Sequence, residues 1–194
     1  MARKPSFAER REQKAAIDDP AVVLEAAARF LEARSRSVSE VRRRLTGAGY
    51  RADLVDGAIE RLTELGMLDD EAFARAWVES RDRARPRGER AIREELRLKG
   101  VDRTVIDVVL ADRRTGILEA ADDLDGDTAA RSADTVAAER LIARHARALA
   151  RVADPRQRRQ RAYALLARNG FDPETCRDVA AGVDREPEDA EPAE

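Results

Sequence analysis

The chain has 194 residues, enough for one ordinary domain or several very small ones, and its formal net charge is −2. Charged residues make up 39% and aromatics 4%, so a core must come from Leu, Val, Ile and Ala, which favours an all-helical protein. No apolar run reaches the ~18 residues of a membrane span, Met1-Ala2-Arg3-Lys4-Pro5 lacks a signal peptide's apolar segment, and Cys176 is the single cysteine; a cytoplasmic protein without a disulfide framework is expected.

Residues 1–19 are polar and without periodicity, and read as a disordered N-terminal arm. Pro20 opens a helix with Val22, Val23, Ala26, Ala27, Phe30 and Leu31 on one face. After the break at Ser35-Arg36-Ser37, Ser37 and Glu40 form a capping box for a second helix that buries Val38, Val41 and Leu45 and stops at Gly47 and Gly49. A third helix spans about Ala52 to Leu65, with Leu54, Val55, Ile59 and Leu62 inward. These three helices make repeat 1, residues 20–66.

Repeat 2, residues 67–111, follows the same plan. Asp69 caps a helix with Phe73, Ala76 and Trp77; Arg85-Pro86-Arg87-Gly88 is the break; Ile92 and Leu96 face inward from the second helix. Asp102 caps the third. Taken alone, Val105–Leu110 could be a buried strand, but the repeat favours helix. Residues 112–135 read as an acidic flexible linker. Repeat 3, residues 136–183, carries Leu141, Ile142 and Leu149, breaks at Asp154-Pro155, continues through Tyr163, Leu165 and Leu166, and restarts at Asp172-Pro173-Glu174. Residues 184–194 form an acidic tail read as disordered.

The repeat is marked by Leu45-Gly49-Tyr50, Leu96-Gly100-Val101 and Leu166-Gly170-Phe171. The fold expected is three tandem three-helix, helix-turn-helix-like repeats in an elongated, curved row, where each module contacts mainly its neighbours.

Charge alternates with the repeat. Arg29–Arg51 holds seven basic and two acidic residues, Ala52–Glu71 one and seven, Arg81–Lys99 eight and four, Glu119–Glu139 one and seven, and Arg140–Gly170 nine and one. The candidate contact residues are Arg42, Arg43 and Arg44 in repeat 1; Arg81, Arg83, Arg85, Arg87, Arg90, Arg93, Arg97 and Lys99 in repeat 2; and Arg156, Arg158, Arg159 and Arg161 in repeat 3. Arg90, Arg93 and Arg97 are spaced i, i+3, i+7, which aligns them on one helix face. The third helices carry Asp53, Asp56 and Glu60, then Asp102 and Asp107, then Asp172, Glu174 and Asp178. Phosphate would repel such helices, so reading of a DNA groove by them is not expected.

No chemistry-bearing motif emerges. The phosphate-loop pattern is absent, His145 has no second ligand, and Cys176 sits on an apolar stripe without a histidine. The segment from Asp123 fails as a calcium loop, with Thr128 and Asp134 where glycine and glutamate are needed. Neither an enzyme, a metal site nor a cofactor is expected.

The stretch Gly66-Met67-Leu68-Asp69-Asp70-Glu71-Ala72-Phe73-Ala74, then Trp77, Pro86-Arg87-Gly88, Ile92, Leu96 and Lys99-Gly100-Val101, resembles the central signature of the RecX regulatory proteins. The resemblance covers roughly residues 20–183 and departs at Met67, where an aromatic residue is usual. It implies a non-enzymatic modulator that binds the RecA recombinase and its filament on single-stranded DNA. Such a protein mainly inhibits strand exchange, ATP hydrolysis and co-protease activity, and so regulates DNA repair and the SOS response. It also implies a monomer with weak binding to single- or double-stranded DNA. The alternative is a general nucleic-acid-binding protein whose basic helices track the phosphate backbone.

Overall fold

A computed structural model describes Arg3, residues 6–122 and residues 132–184, and among these residues every regular element is an α-helix. The chain divides into two compact units, Met1–Ala76 with Leu96–Ile106, and Trp77–Glu95 with Asp107–Glu194.

In the first unit, Asp19 accepts from the Ala21 N–H at 2.9 Å and Pro20 occupies the first turn, opening α2 (Pro20–Glu32). Ser37 and Glu40 close the expected capping box on α3 (Val38–Ala48), and α4 (Ala52–Glu64) follows. The inward stripes bury Val23, Ala27, Val41, Leu45, Val55, Ile59 and Leu62 in one core. Each such leucine, valine or isoleucine contributes about 1.5–3 kcal/mol by leaving water.

The expected disordered arm is corrected here. A helix, α1, runs through Phe7–Ala15, with a capping box of Ser6 and Glu9. None of its residues is buried, so no apolar stripe advertises it. Polar contacts help hold the segment around it: Lys14 Nζ donates to the Tyr50 hydroxyl at 2.7 Å and lies 4.3 Å from the ring centroid, and Asp18 pairs with Arg51 at 2.5 Å, while Ile17 packs on the core.

Helices α5 (Asp70–Ala84), α6 (Glu89–Leu98) and α7 (Arg103–Asp122) begin near the expected signals, and α5 and α6 end near them. Asp69 accepts from the Glu71 and Ala72 N–H groups at 2.8 and 3.0 Å, and Asp102 accepts from Thr104 N at 2.8 Å. The unit boundary cuts through all three helices. The segment with strand-like composition is helical, as the repeat requires. α7 also runs through Asp122, into the expected linker, so residues 112–122 are helix; residues 123–131 lie outside the described part.

In the second unit, α8 (Ala133–Ala150) is capped by Ser132, α9 (Pro155–Arg168) by Asp154 and α10 (Pro173–Gly182) by Asp172. Leu141, Leu166, Phe171, Cys176 and Val179 share one core cluster, and Leu149, Ala162 and Ala180 another. Burial pushes the Cys176 thiol pKa up, in keeping with a core residue. The acidic tail beyond Asp184 is outside the described residues.

Candidate partner-binding arginines and the helix joints

Within the first unit, the start of α3 docks on the end of α6. Ser37 Oγ donates to the Lys99 carbonyl at 2.6 Å, Lys99 Nζ donates to Glu40 at 2.9 Å, and the Val38 N–H donates to Asp70 Oδ1 at 2.9 Å. The approach is close because Gly100 has no side chain: a Cβ there would stand 2.3 Å from Ser39 Oγ.

Within the second unit, the start of α6 meets the end of α9 in the same way. Gly88 N donates to the Asn169 carbonyl at 3.1 Å, and the Glu89 N–H donates to both oxygens of Asp134 at 2.9 and 3.1 Å. A Cβ on Gly170 would stand 2.4 Å from Ala91 Cβ. Thus Asp70 and Asp134 each supply the side-chain acceptor for the first turn of another helix, against its positive end. Burial raises both carboxyl pKa values above the ordinary one, despite those N–H donors and, for Asp134, Arg113.

Among the described residues of the second unit, Arg113 is the most enclosed cation, with its side chain 4% exposed. It forks onto Asp82 at 2.8 and 3.0 Å and reaches Asp134 at 2.6 Å. Burial opposes its charge, yet Asp82 and Asp134 hold its pKa above the ordinary arginine value. Arg144 donates to the carbonyls of Arg83 and Ala84, satisfying the end of α5.

The expected arginine faces are largely paired. Arg42 on α3 pairs with Asp56 on α4, and Arg93 on α6 with Asp107 on α7. Both pairs span 14 positions and lie 51 apart, the first repeat interval. Arg93 also meets Glu89 at 3.0 Å, and Arg97 has a polar partner too, so the i, i+3, i+7 stripe is not a row of free cations. Arg81 lies 4.2 Å from the Trp77 ring centroid and 2.6 Å from Glu95, to which Trp77 Nε1 donates at 2.8 Å. Arg83 pairs with Glu79, Arg87 with Asn169 and Glu95, Lys99 with Glu40, and Arg158 and Arg159 with Asp184.

Arg43, Arg85, Arg90, Arg156 and Arg161 are exposed, and their side chains have no polar partner among the described residues. Arg44 lies over Phe30, joined there by Arg36, which no sequence pattern singles out. Arg113, Asp70 and Asp134 escape sequence patterns as well, since their partners are distant along the chain. A cavity of about 350 Å³ between α8 and α10 is lined by Ile142, Ala143, Val179 and Val183 together with Glu139 and Asp178, and by no arginine. Among the described residues, no helix is long and apolar enough to cross a membrane.

Residues 24–62 match the family model of the RecX first three-helix domain, and residues 69–110 that of the RecX second three-helix domain. The Regulatory protein RecX of Mycobacterium ulcerans (strain Agy99) is 34% identical over 143 residues, covering 74% of this chain and 73% of that protein. The Regulatory protein RecX of Mycolicibacterium vanbaalenii is 46% identical over 83 residues, which span 43% of this chain and only 45% of that relative. The crystal structure of RecX from Lactobacillus salivarius superposes with a TM-score of 0.68 at 18% identity, covering 86% of this chain and 97% of that one, a likeness of fold.

Proposed function

Because this chain belongs to the RecX family of regulatory proteins, we propose that it regulates the RecA recombinase. In this reading it acts in the cytoplasm as a monomer. It binds RecA and its filament on single-stranded DNA, and mainly inhibits recombinase, ATPase and co-protease activity. The similarity over 143 residues to a Regulatory protein RecX carries the reading.

The exposed arginines without partners supply the contact chemistry. Arg43 on α3, Arg90 on α6 and Arg156 and Arg161 on α9 each hold a guanidinium fork open to a carboxylate or a phosphate. Arg42 and Arg93 are weaker candidates because Asp56 and Asp107 already engage them.

The experiment is inhibition of RecA's DNA-dependent ATPase by the full chain. The triple variant Arg90→Glu, Arg156→Glu, Arg161→Glu should need about tenfold more protein for half-inhibition, since charge reversal at rim positions weakens association on this scale. Equal inhibition by the variant, with helicity unchanged, removes these arginines from the interface. Absence of inhibition by the unaltered protein overturns the RecA reading.

A further inference from the structure

The cavity between α8 and α10 lies wholly within the second unit and forms an apolar groove. Buried Val179 makes its floor, and half-buried Ile142 and Val183 and exposed Ala143 make its walls, around a volume of about 350 Å³. That is the lower end of the range for binding pockets, about 300–1,000 Å³. Gly182 also lines the groove, and a Cβ there would meet nothing within 4 Å, so the mouth is open.

Repeat 1 handles the corresponding stretch differently. Leu68, 19 positions after Gly49, folds into the core that α2, α3 and α4 share and is 1% exposed. In repeat 3 the residue 19 positions after Gly170 is Asp189, so the repeat pattern supplies a carboxylate where repeat 1 supplies an aliphatic side chain.

The rim of the groove is acidic. Glu139 of α8 and Asp178 of α10 line it. The arginines beside them in sequence are engaged elsewhere: Arg140 donates to the Asp82 carbonyl at 3.5 Å, Arg144 to the carbonyls of Arg83 and Ala84, and Arg177 Nε to the Pro173 carbonyl at 3.0 Å. Residues 185–194 hold five acidic residues and one basic, so repulsion from this rim disfavours the chain's own end as the occupant.

We propose that this groove docks a short basic segment of another protein. One branched aliphatic side chain enters between Ile142, Val179 and Val183, and flanking lysines or arginines meet Glu139 and Asp178. Burial of the aliphatic group supplies the affinity, and the two carboxylates select the charge of the flanks. A long basic side chain suits such a rim, because its methylene stem can lie on Ala143 while its charge reaches a carboxylate. This surface is distinct from the arginines of the RecA reading, and its test uses no RecA.

The test is fluorescence anisotropy of the labelled peptide Gly-Lys-Lys-Leu-Lys-Lys-Gly with the full chain, together with methyl NMR spectra of Ile142, Val179 and Val183. Saturable binding that shifts these methyl resonances is expected. Replacing the peptide's leucine by alanine should weaken binding about tenfold or more, and Gly-Glu-Glu-Leu-Glu-Glu-Gly should not bind. Glu139→Gln with Asp178→Asn should weaken binding about fivefold, the worth of two exposed charge pairs. Ala143→Trp fills the groove from an exposed position and leaves the charge alone; it should abolish binding, and it gives an independent reading if the double variant folds poorly. Undiminished binding by the Ala143→Trp chain, or methyl resonances that stay still, would mean that the peptide is held by the acidic residues 185–194, and the proposal fails. Absence of binding by the unaltered chain, or equal binding of the alanine peptide, overturns it too.

Discussion

Replacing Gly170 by alanine tests the close packing of helix ends in the second unit. Gly170 has φ 84°, a left-handed conformation that costs an L-residue roughly 1–2 kcal/mol. Its added Cβ would lie 2.4 Å from Ala91 Cβ, 2.6 Å from Ala91 N and 2.9 Å from Ala91 Cα, all well inside contact distance and mostly rigid backbone. Overpacking of this kind adds about 1–3 kcal/mol. The total expected for Gly170→Ala is about 3 kcal/mol. Gly66 provides the control: its φ is 67°, but nothing lies within 4 Å of its Cβ position, so Gly66→Ala should lose only about 1 kcal/mol. Gly88→Ala isolates the opposite term, because its φ is not positive while its Cβ would stand 2.3 Å from the Gly170 carbonyl oxygen. Urea unfolding followed by far-ultraviolet circular dichroism gives all three values. The double variant at 88 and 170 should lose less than the sum, since one joint opens only once. If Gly170→Ala is no worse than Gly66→Ala, the two helix ends do not pack as described.

Arg113→Ala should destabilise the chain by about 3 kcal/mol in the same assay, because it leaves Asp134 and Asp82 without their cation in a largely buried setting; a loss below about 1 kcal/mol would count against the buried triad. Asp70→Asn should keep the acceptor for the Val38 N–H but remove an ionisation that burial disfavours. The folded pKa of Asp70 is raised above its ordinary 3.8, so the unaltered chain loses stability as pH rises from there through the raised value, and the asparagine variant should lack that loss; a variant whose relative stability falls with pH over this window refutes the assignment.

Local signals in the sequence carried the fold a long way. The Ser37–Glu40 capping box, the Asp154-Pro155 break and the Asp172-Pro173 start each depend on residues within one turn, and each helix forms where those signals stand. α1 stayed hidden for a physical reason: it buries no residue, and Tyr50 and Arg51, which hold its segment, are more than 30 positions from Lys14 and Asp18. Asp70 and Asp134 hid differently. Asp70 looks like part of an ordinary helix start and Asp134 like a residue of a failed calcium loop, because the N–H groups they accept belong to helices 32 and 45 positions away. The arginine-rich blocks were legible as charge, but which arginines are already engaged depends on how α3 meets α4 and α6 meets α7.

That pairing changes what the alternating charge means. Arg42–Asp56 and Arg93–Asp107 neutralise the facing second and third helices in two successive repeats, so the alternation need not mirror a partner's charge pattern. The next interval, 70 positions on, places Tyr163 where Arg93 stands and Arg177 where Asp107 stands, so the pair is absent from α9 and α10. Residues 140–170 keep nine basic residues against one acidic. If the partner is anionic, as the proposed reading has it, this excess on α8 and α9 would draw it by a long-range field that salt screens. The exposed pairs of α3 and α6 contribute at most about 1 kcal/mol each, so a carboxylate or phosphate from a partner can displace Asp56 or Asp107 with little loss of fold stability. In the proposed reading, then, the basic excess of residues 140–170 would attract the partner first, and Arg42 and Arg93 would join only by exchanging Asp56 and Asp107 for a partner's anion.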